Sequence, residues 1–193
     1  MTQHRYCHGA PSNVVLGELG CVWKKRYPGV FIANSGTVIA LREANYQRDE
    51  YSSGVTELVS DNFVHLASIY TLPSRPRKGL ATSALKELVE ICSHCQCGIL
   101  ALVSPFQLPK LPLHIFDVCE WAISGRIIQD VIDPQGKLAN TSKKLLAHQG
   151  FEFGFELDDL WPDIDFGLIE RRACYLPSTM PEEFRKFMRC FKK

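Results

Sequence analysis

The chain has 193 residues, 46% hydrophobic and 22% charged, which is enough apolar material for a real core and excludes a disordered chain. A formal net charge of +1 removes any global electrostatic case for a nucleic-acid or membrane partner. No segment approaches the roughly 18 consecutive apolar residues that span a bilayer, and the opening MTQHRYCHGAPSN lacks the apolar run of an export signal. The eight cysteines are therefore expected to be reduced thiols in a cytoplasmic protein rather than a disulfide framework.

No repeat or Gly/Ser linker divides the chain. From Val14 to Pro28, Val15, Leu19, Val22 and Trp23 fall at helical spacing. Gly17 and Gly20 weaken that helix and leave a strand as the alternative. GVFIANSGTVIALREA reads as a hairpin turning at Asn34-Ser35-Gly36, where positive φ is tolerated. NFVHLASIYTLP is a third strand, stopped by Pro73. By period-two spacing Phe63, His65, Ala67 and Ile69 share one face, and Leu66, Ser68 and Tyr70 the other. His65 and Tyr70 then reach one substrate only if the strand bulges.

After Gly79 the period becomes helical, with Leu80, Ala84, Leu85, Leu88 and Ile91 on one face and Lys86, Glu87 and Glu90 elsewhere. GILALV, Gly98 to Val103, is a strand buried on both faces. A proline-punctuated stretch from Pro105 to Leu138 carries a possible helix at HIFDVCEWAIS. NTSKKLLAHQGFEFGFEL predicts a short helix closed by Gly150 and then an alternating strand. FGLIERRACYLP is a last strand, and MPEEFRKFMRCFKK a terminal helix with Pro in its first turn, acids early and bases late. This order of strands and helices implies a mixed α/β sheet.

Two motifs invite chemistry. Cys92, His94, Cys95 and Cys97 offer soft ligands at chelating spacing, with His4, Cys7 and His8 as distant candidates for the remainder. A lone CxxC cluster is half of a structural site, so no metal is expected. The second motif is the loop SRPRKGLAT, in which a strand feeds a helix through a cationic, glycine-bearing turn. Unpaired backbone N–H groups and the helix dipole make such a junction an anion site. Arg77, Lys78, Gly79, Leu80, Ala81 and Thr82 would form a pyrophosphate cradle, or else simply a solvated loop.

SIYTLPSRPRKGLATSALKELVE, then GILALV, then LANTSKKLLAHQGFEFG resembles the GNAT superfamily of acyl-CoA-dependent N-acyltransferases, over roughly residues 29–176. That family carries an Arg or Gln, two residues, Gly, one residue, then Gly or Ala after its fourth strand. The loop's amides bind the coenzyme A pyrophosphate. A helix ending in Gly-Phe before the sixth strand is the second landmark, here Gly150-Phe151. The resemblance implies a GNAT-like α/β fold with a mixed, partly antiparallel central sheet flanked by helices. It implies one domain over 1–193, with its core at about 29–176 and a C-terminal helix at about 180–192.

The resemblance further implies acetyl-CoA, or another acyl-CoA, as co-substrate and an amine on a small molecule or protein as acceptor, with no membrane partner. It sets Ile69, Tyr70 and Thr71 beside the thioester, and Asn140 and Ser142 beside the pantetheine. NTS is equally a helix N-cap. Where the family has its Arg or Gln this chain has Pro76, flanked by Arg75 and Arg77. Where it often has an acidic tyrosine the chain has Leu146. Tyr70 is then the candidate proton donor, with a core aromatic as the alternative, and a strand histidine such as His65 is more often structural. The loop ELDDLWPDID, Glu156 to Asp165, would favour a cationic acceptor. Two other functions fit the same resemblance. One is an inactive GNAT-fold binding module. The other is an acyl-CoA-dependent transferase modifying nucleic acid, resting on the basic loop and FRKFMRCFKK.

Overall fold

The computed structural model describes residues 10–43, 59, 61–71, 79–103, 137–156 and 172–193. Arg77, Lys78, the possible helix after Pro105 and residues 157–165 of the acidic loop lie outside them, as do His4, Cys7 and His8. The described elements are α1 (Pro11–Val22), β1 (Lys24–Tyr27), β2 (Val30–Ile32), β3 (Val38–Glu43), β4 (Phe63–Tyr70), α2 (Leu80–His94), β5 (Gly98–Leu102), α3 (Lys137–His148), β6 (Glu152–Phe153), β7 (Arg172–Tyr175) and α4 (Glu182–Arg189).

The strands form one seven-stranded sheet in the order β1-β2-β3-β4-β5-β7-β6. β1 to β4 run antiparallel, β4 and β5 parallel, and β7 antiparallel to both β5 and β6. The mixed, partly antiparallel sheet flanked by helices is the architecture expected from the sequence.

α1 forms despite its two glycines because Val15 and Leu19 bury a stripe against the sheet. Val22, expected on that stripe, is exposed. The helix ends there, and Trp23 turns inward as its C-cap. The Trp23 indole donates to Glu87 of α2 at 2.8 Å, tying the two helices together. A half-buried hydrogen bond to a charged group is worth about 1.5–3 kcal/mol.

The sequence reading did not foresee β1. Lys24, Lys25 and Arg26 are exposed, so the strand has no apolar alternation to announce it. It forms because Pro28 and Gly29 turn the chain back onto β2. Gly29 has φ 71°, and a Cβ there would run into the Leu41 carbonyl oxygen. The next hairpin turns at Asn34-Ser35-Gly36 as expected, with the Gly36 N–H donating to the Ala33 carbonyl at 2.8 Å.

One sheet face buries the main core, built from Ile39, Leu41, Val64, Leu66 and Ile99 under Leu85 and Leu88 of α2 and Leu146 of α3. The other face carries two smaller clusters. α4 seats Met188 against Phe63, Leu100 and Cys174, while Val30, Val38 and Ala40 gather Tyr27, Ile32, Ala67 and Tyr70. α4 has Glu182 and Glu183 in its first turn and Lys186 and Arg189 in its last, as its dipole favours. Arg189 and Lys192 both pair with Glu152 of edge strand β6.

Gly150 closes α3 with φ 84°, and the Phe151 N–H returns to the Leu146 carbonyl. α3 begins at Lys137, a turn earlier than expected, so Asn140 and Ser142 sit inside the helix and do not cap it. Among the described residues no helix is long and apolar enough to cross a membrane.

Candidate active site

The site is organised by a fault in the alternation of β4. Val64 and Leu66 face the main core at period two, but the next core-facing residue is Ile69, three positions on. The ladder with β3 shows why: Leu41 pairs with Leu66 and Ala40 with Ser68, so β4 holds one extra residue, Ala67. This is a β-bulge, which re-aims every side chain after it. Past the bulge Ser68 and Tyr70 stand on the face of His65, opposite Ala40 and Val38 of β3, while Arg42 stands opposite His65. Plain alternation had put His65 on the face opposite Ser68 and Tyr70. The extra residue reverses that, and moves Ile69 to the core side.

The bulge also marks where β4 and β5 part. Their parallel ladder runs from Phe63 and Gly98 to Leu66 and Ala101. β4 then continues to Tyr70 and β5 to Leu102. The last four residues of β4 have no strand partner on this side among the described residues, so backbone groups line a fork. The Thr71 hydroxyl, just past the strand, is shut off from solvent and has no hydrogen-bond partner among the described residues. A buried orphan hydroxyl of this kind costs about 1–3 kcal/mol unless a ligand or water satisfies it.

Gly79 caps α2 with φ 69° and ψ 14° and makes no side-chain cap. Only glycine adopts that conformation cheaply. A Cβ at Gly79 would meet nothing within 4 Å among the described residues. The first intrahelical bond runs from the Ser83 N–H to the Gly79 carbonyl at 2.9 Å. The N–H groups of Leu80, Ala81 and Thr82 consequently have no acceptor within the helix. Leu80 and Ala81 are half-buried and Thr82 is exposed.

Burial pushes the Tyr70 phenol above its ordinary range, against the opposing pull of the neighbouring Ser68 hydroxyl and the Arg42 guanidinium. At neutral pH the phenol therefore keeps its proton. Burial, and secondarily Arg42, lower His65 to about 4, so its imidazole is neutral. His65 Nε2 is enclosed and has no hydrogen-bond partner among the described residues.

Of the other expected site residues, Asn140 is exposed and Ser142 half-buried on α3, with no described contact to Tyr70. Leu146 is buried in the main core, and its carbonyl accepts from the Phe151 N–H. Glu156, the one residue of the acidic loop among those described, pairs with Lys193 and donates its N–H to the Phe191 carbonyl. Cys92 and Cys97 are core residues, and burial together with the Cys97 thiol pushes the Cys92 thiol well up, the opposite of a thiolate ligand's environment. Among the described residues no group of three His, Cys, Asp or Glu is placed to hold a metal ion. Sequence reasoning missed Arg42 and the bulge. The apolar spacing Val64, Leu66, Ile69 was the signal that could have found the bulge.

The sequence model of the acetyltransferase (GNAT) family matches residues 13–114, more than half of the chain. The match begins within α1, takes in the bulged strand, the Gly79 turn, α2 and β5, and ends before α3 and Gly150-Phe151. No curated protein and no solved structure matches.

Proposed function

Because this chain belongs to the acetyltransferase (GNAT) family, we propose that it is an acyl-CoA-dependent N-acyltransferase, carrying an acyl group, acetyl in the first instance, from CoA to an amine. The observation that carries the reading is the parting of β4 from β5 after Leu66 and Ala101, immediately upstream of a helix capped by Gly79. A fork of unpaired backbone groups suits an amide-bearing chain such as pantetheine. A helix start whose first N–H groups have no acceptor within the helix suits a pyrophosphate. The Thr71 hydroxyl offers a donor or acceptor between the two.

In the reaction the amine nitrogen attacks the thioester carbonyl carbon, a C–N bond forms, the C–S bond breaks, and the departing thiolate takes a proton. Backbone N–H groups of Ile69, Tyr70 and Thr71 are the candidates to stabilise the oxyanion. Tyr70 is the candidate acid, since its raised phenol holds a proton at neutral pH. Gly79, Leu80, Ala81 and Thr82 would bind the pyrophosphate with Arg77 and Lys78 adding charge, and Asn140 and Ser142 would border the pantetheine. The whole chain, 1–193, acts as one unit in the cytoplasm, where its thiols stay reduced.

A second reading is a CoA-binding module without catalysis. It is favoured by Leu146, which occupies the position of the family's frequent acid and is packed into the core. Calorimetry with acetyl-CoA, free CoA and ATP, followed by a thiol-release assay on a panel of amines, tests both. Acetyl-CoA binding with thiol release on an amine supports the enzyme. Binding without release, even by slow hydrolysis, supports the module, and the absence of acetyl-CoA binding removes both.

A further inference from the structure

The sheet face that carries Tyr70 also brings Arg42 and His65 together as direct cross-strand partners, with Ser68 between them and Tyr70 along β4. Resting on the acyltransferase reading, we infer that the acceptor is an amine bearing its own anionic group, a carboxylate or a phosphate. His65 Nε2 takes a hydrogen bond from the amine, and Arg42 pairs with the anion.

Three observations carry this. His65 Nε2 is enclosed and without a partner among the described residues, on a face where ordinary packing leaves few buried polar atoms unpaired. The ring is held neutral by burial and by Arg42, so one nitrogen keeps a lone pair for an N–H donor. Directly opposite cross-strand residues hold their Cβ atoms about 5 Å apart, so the imidazole and the guanidinium leave the sheet as neighbours on one face, where a single small ligand can meet both.

The charge on this face selects against the alternative acceptor. Arg42 acts on both His65 and Tyr70, in each case favouring the less positive form, and would do the same to an ammonium brought beside it. That effect helps the reaction by favouring a neutral, nucleophilic amine, but it disfavours a polyamine, whose second cation would stand beside the Arg42 guanidinium. Among the described residues Tyr27, Val30, Ile32, Val38, Ala40 and Ala67 form the apolar cluster of this face, and Arg172, opposite Leu102 on the same face, adds a second cation. Glu156, which the sequence reading had offered to a cationic acceptor, is engaged by Lys193. Arg42 is an exposed residue, so an entering ligand can reach it, and a guanidinium takes a carboxylate or phosphate with two parallel hydrogen bonds.

The experiment compares matched amines in the presence of acetyl-CoA, by ligand-induced stabilisation and by thiol release. The pairs are an α-amino acid against its amide, and an aminoalkyl phosphate against its parent amino alcohol, with a linear diamine as the cationic member. The expected result is a preference of about tenfold or more for the anionic member of at least one pair, the pair concerned identifying carboxylate or phosphate. Arg42→Gln should erase that preference while acetyl-CoA still binds, and Arg42→Lys should keep part of it. A preference for the diamine, or a preference that survives Arg42→Gln, overturns the inference and leaves the acyltransferase reading standing. Failure of the parent protein to bind acetyl-CoA removes the acyltransferase reading itself, whatever the amines do.

Discussion

Leu66 is the last residue of β4 to pair with β5, opposite Ala101, and Ala67 beside it is the extra residue that bulges β4 away from β3. One inserted residue thus sits where the fork opens on one side of the strand and puts Tyr70 on the same face as Arg42 and His65 on the other. Both halves of the candidate site depend on it.

Replacing Gly79 tests the cradle. A Cβ at Gly79 meets nothing within 4 Å among the described residues, but in Gly79→Val φ 69° costs the β-branched residue about 1–2 kcal/mol and so disturbs the turn that caps α2. Acetyl-CoA affinity should fall below detection by calorimetry while the thermal transition stays cooperative and a few degrees lower. Gly79→Asn, which tolerates the left-handed region, should retain binding. A valine variant that binds like the parent places the cradle elsewhere.

Tyr70→Phe separates chemistry from binding. The ring keeps its place among Tyr27, Ile32 and Val38, so the fold is unaffected, but the proton is gone. Loss of a positioned acid typically lowers turnover by about 10²–10⁴. Steady-state kinetics should show that loss in kcat with acetyl-CoA affinity nearly unchanged, and parental turnover would remove the assignment.

His65 imposes a pH dependence on stability with a definite sign. Its folded pKa of about 4 lies below the ordinary value of 6.5, so between these the unfolded chain binds a proton that the folded chain refuses. Stability should be fully present above pH 6.5 and decline as pH falls toward 4, by at most about 3 kcal/mol from this group. Urea unfolding at pH 7.5 and pH 5 should give a smaller difference for His65→Gln than for the parent. An equal difference would show that the imidazole is not shielded.

Gly98 opens β5 directly under the Phe63 ring, where a Cβ would overlap the ring. Gly98→Ala should destabilise by about 1–3 kcal/mol in denaturant unfolding, as overpacked cores do. Adding Phe63→Leu should recover part of that loss, because the two residues are in contact. Strict additivity of the pair would contradict this packing.

Thiol counting checks the cysteines twice. Under denaturing, non-reducing conditions most of the eight should react. In the native protein Cys21 and Cys190, both exposed, should react quickly, and Cys92, Cys97 and Cys174, all buried, slowly. Paired cysteines in the denatured sample would end the cytoplasmic assignment.

What the sequence alone determined is what local chemistry encodes. The hairpin at Asn34-Ser35-Gly36, the amphipathic α2 behind Gly79 and the Gly150 closure of α3 were each legible. A positive-φ turn and a one-sided apolar stripe depend on neighbours a few residues away. The family resemblance was legible for the same reason, because the glycine turn and its helix are contiguous in the chain. The polar edge strand β1 was not, since its exposed lysines are stabilised by pairing with β2 rather than by any pattern of their own. Nor was the shared face of Arg42, His65 and Tyr70, although His65 and Tyr70 had both been singled out. Which side of a strand a residue faces is set by its register with another strand, and one extra residue at Ala67 reverses every side chain beyond it. Register is a relation between distant segments, so only the folded sheet could decide it.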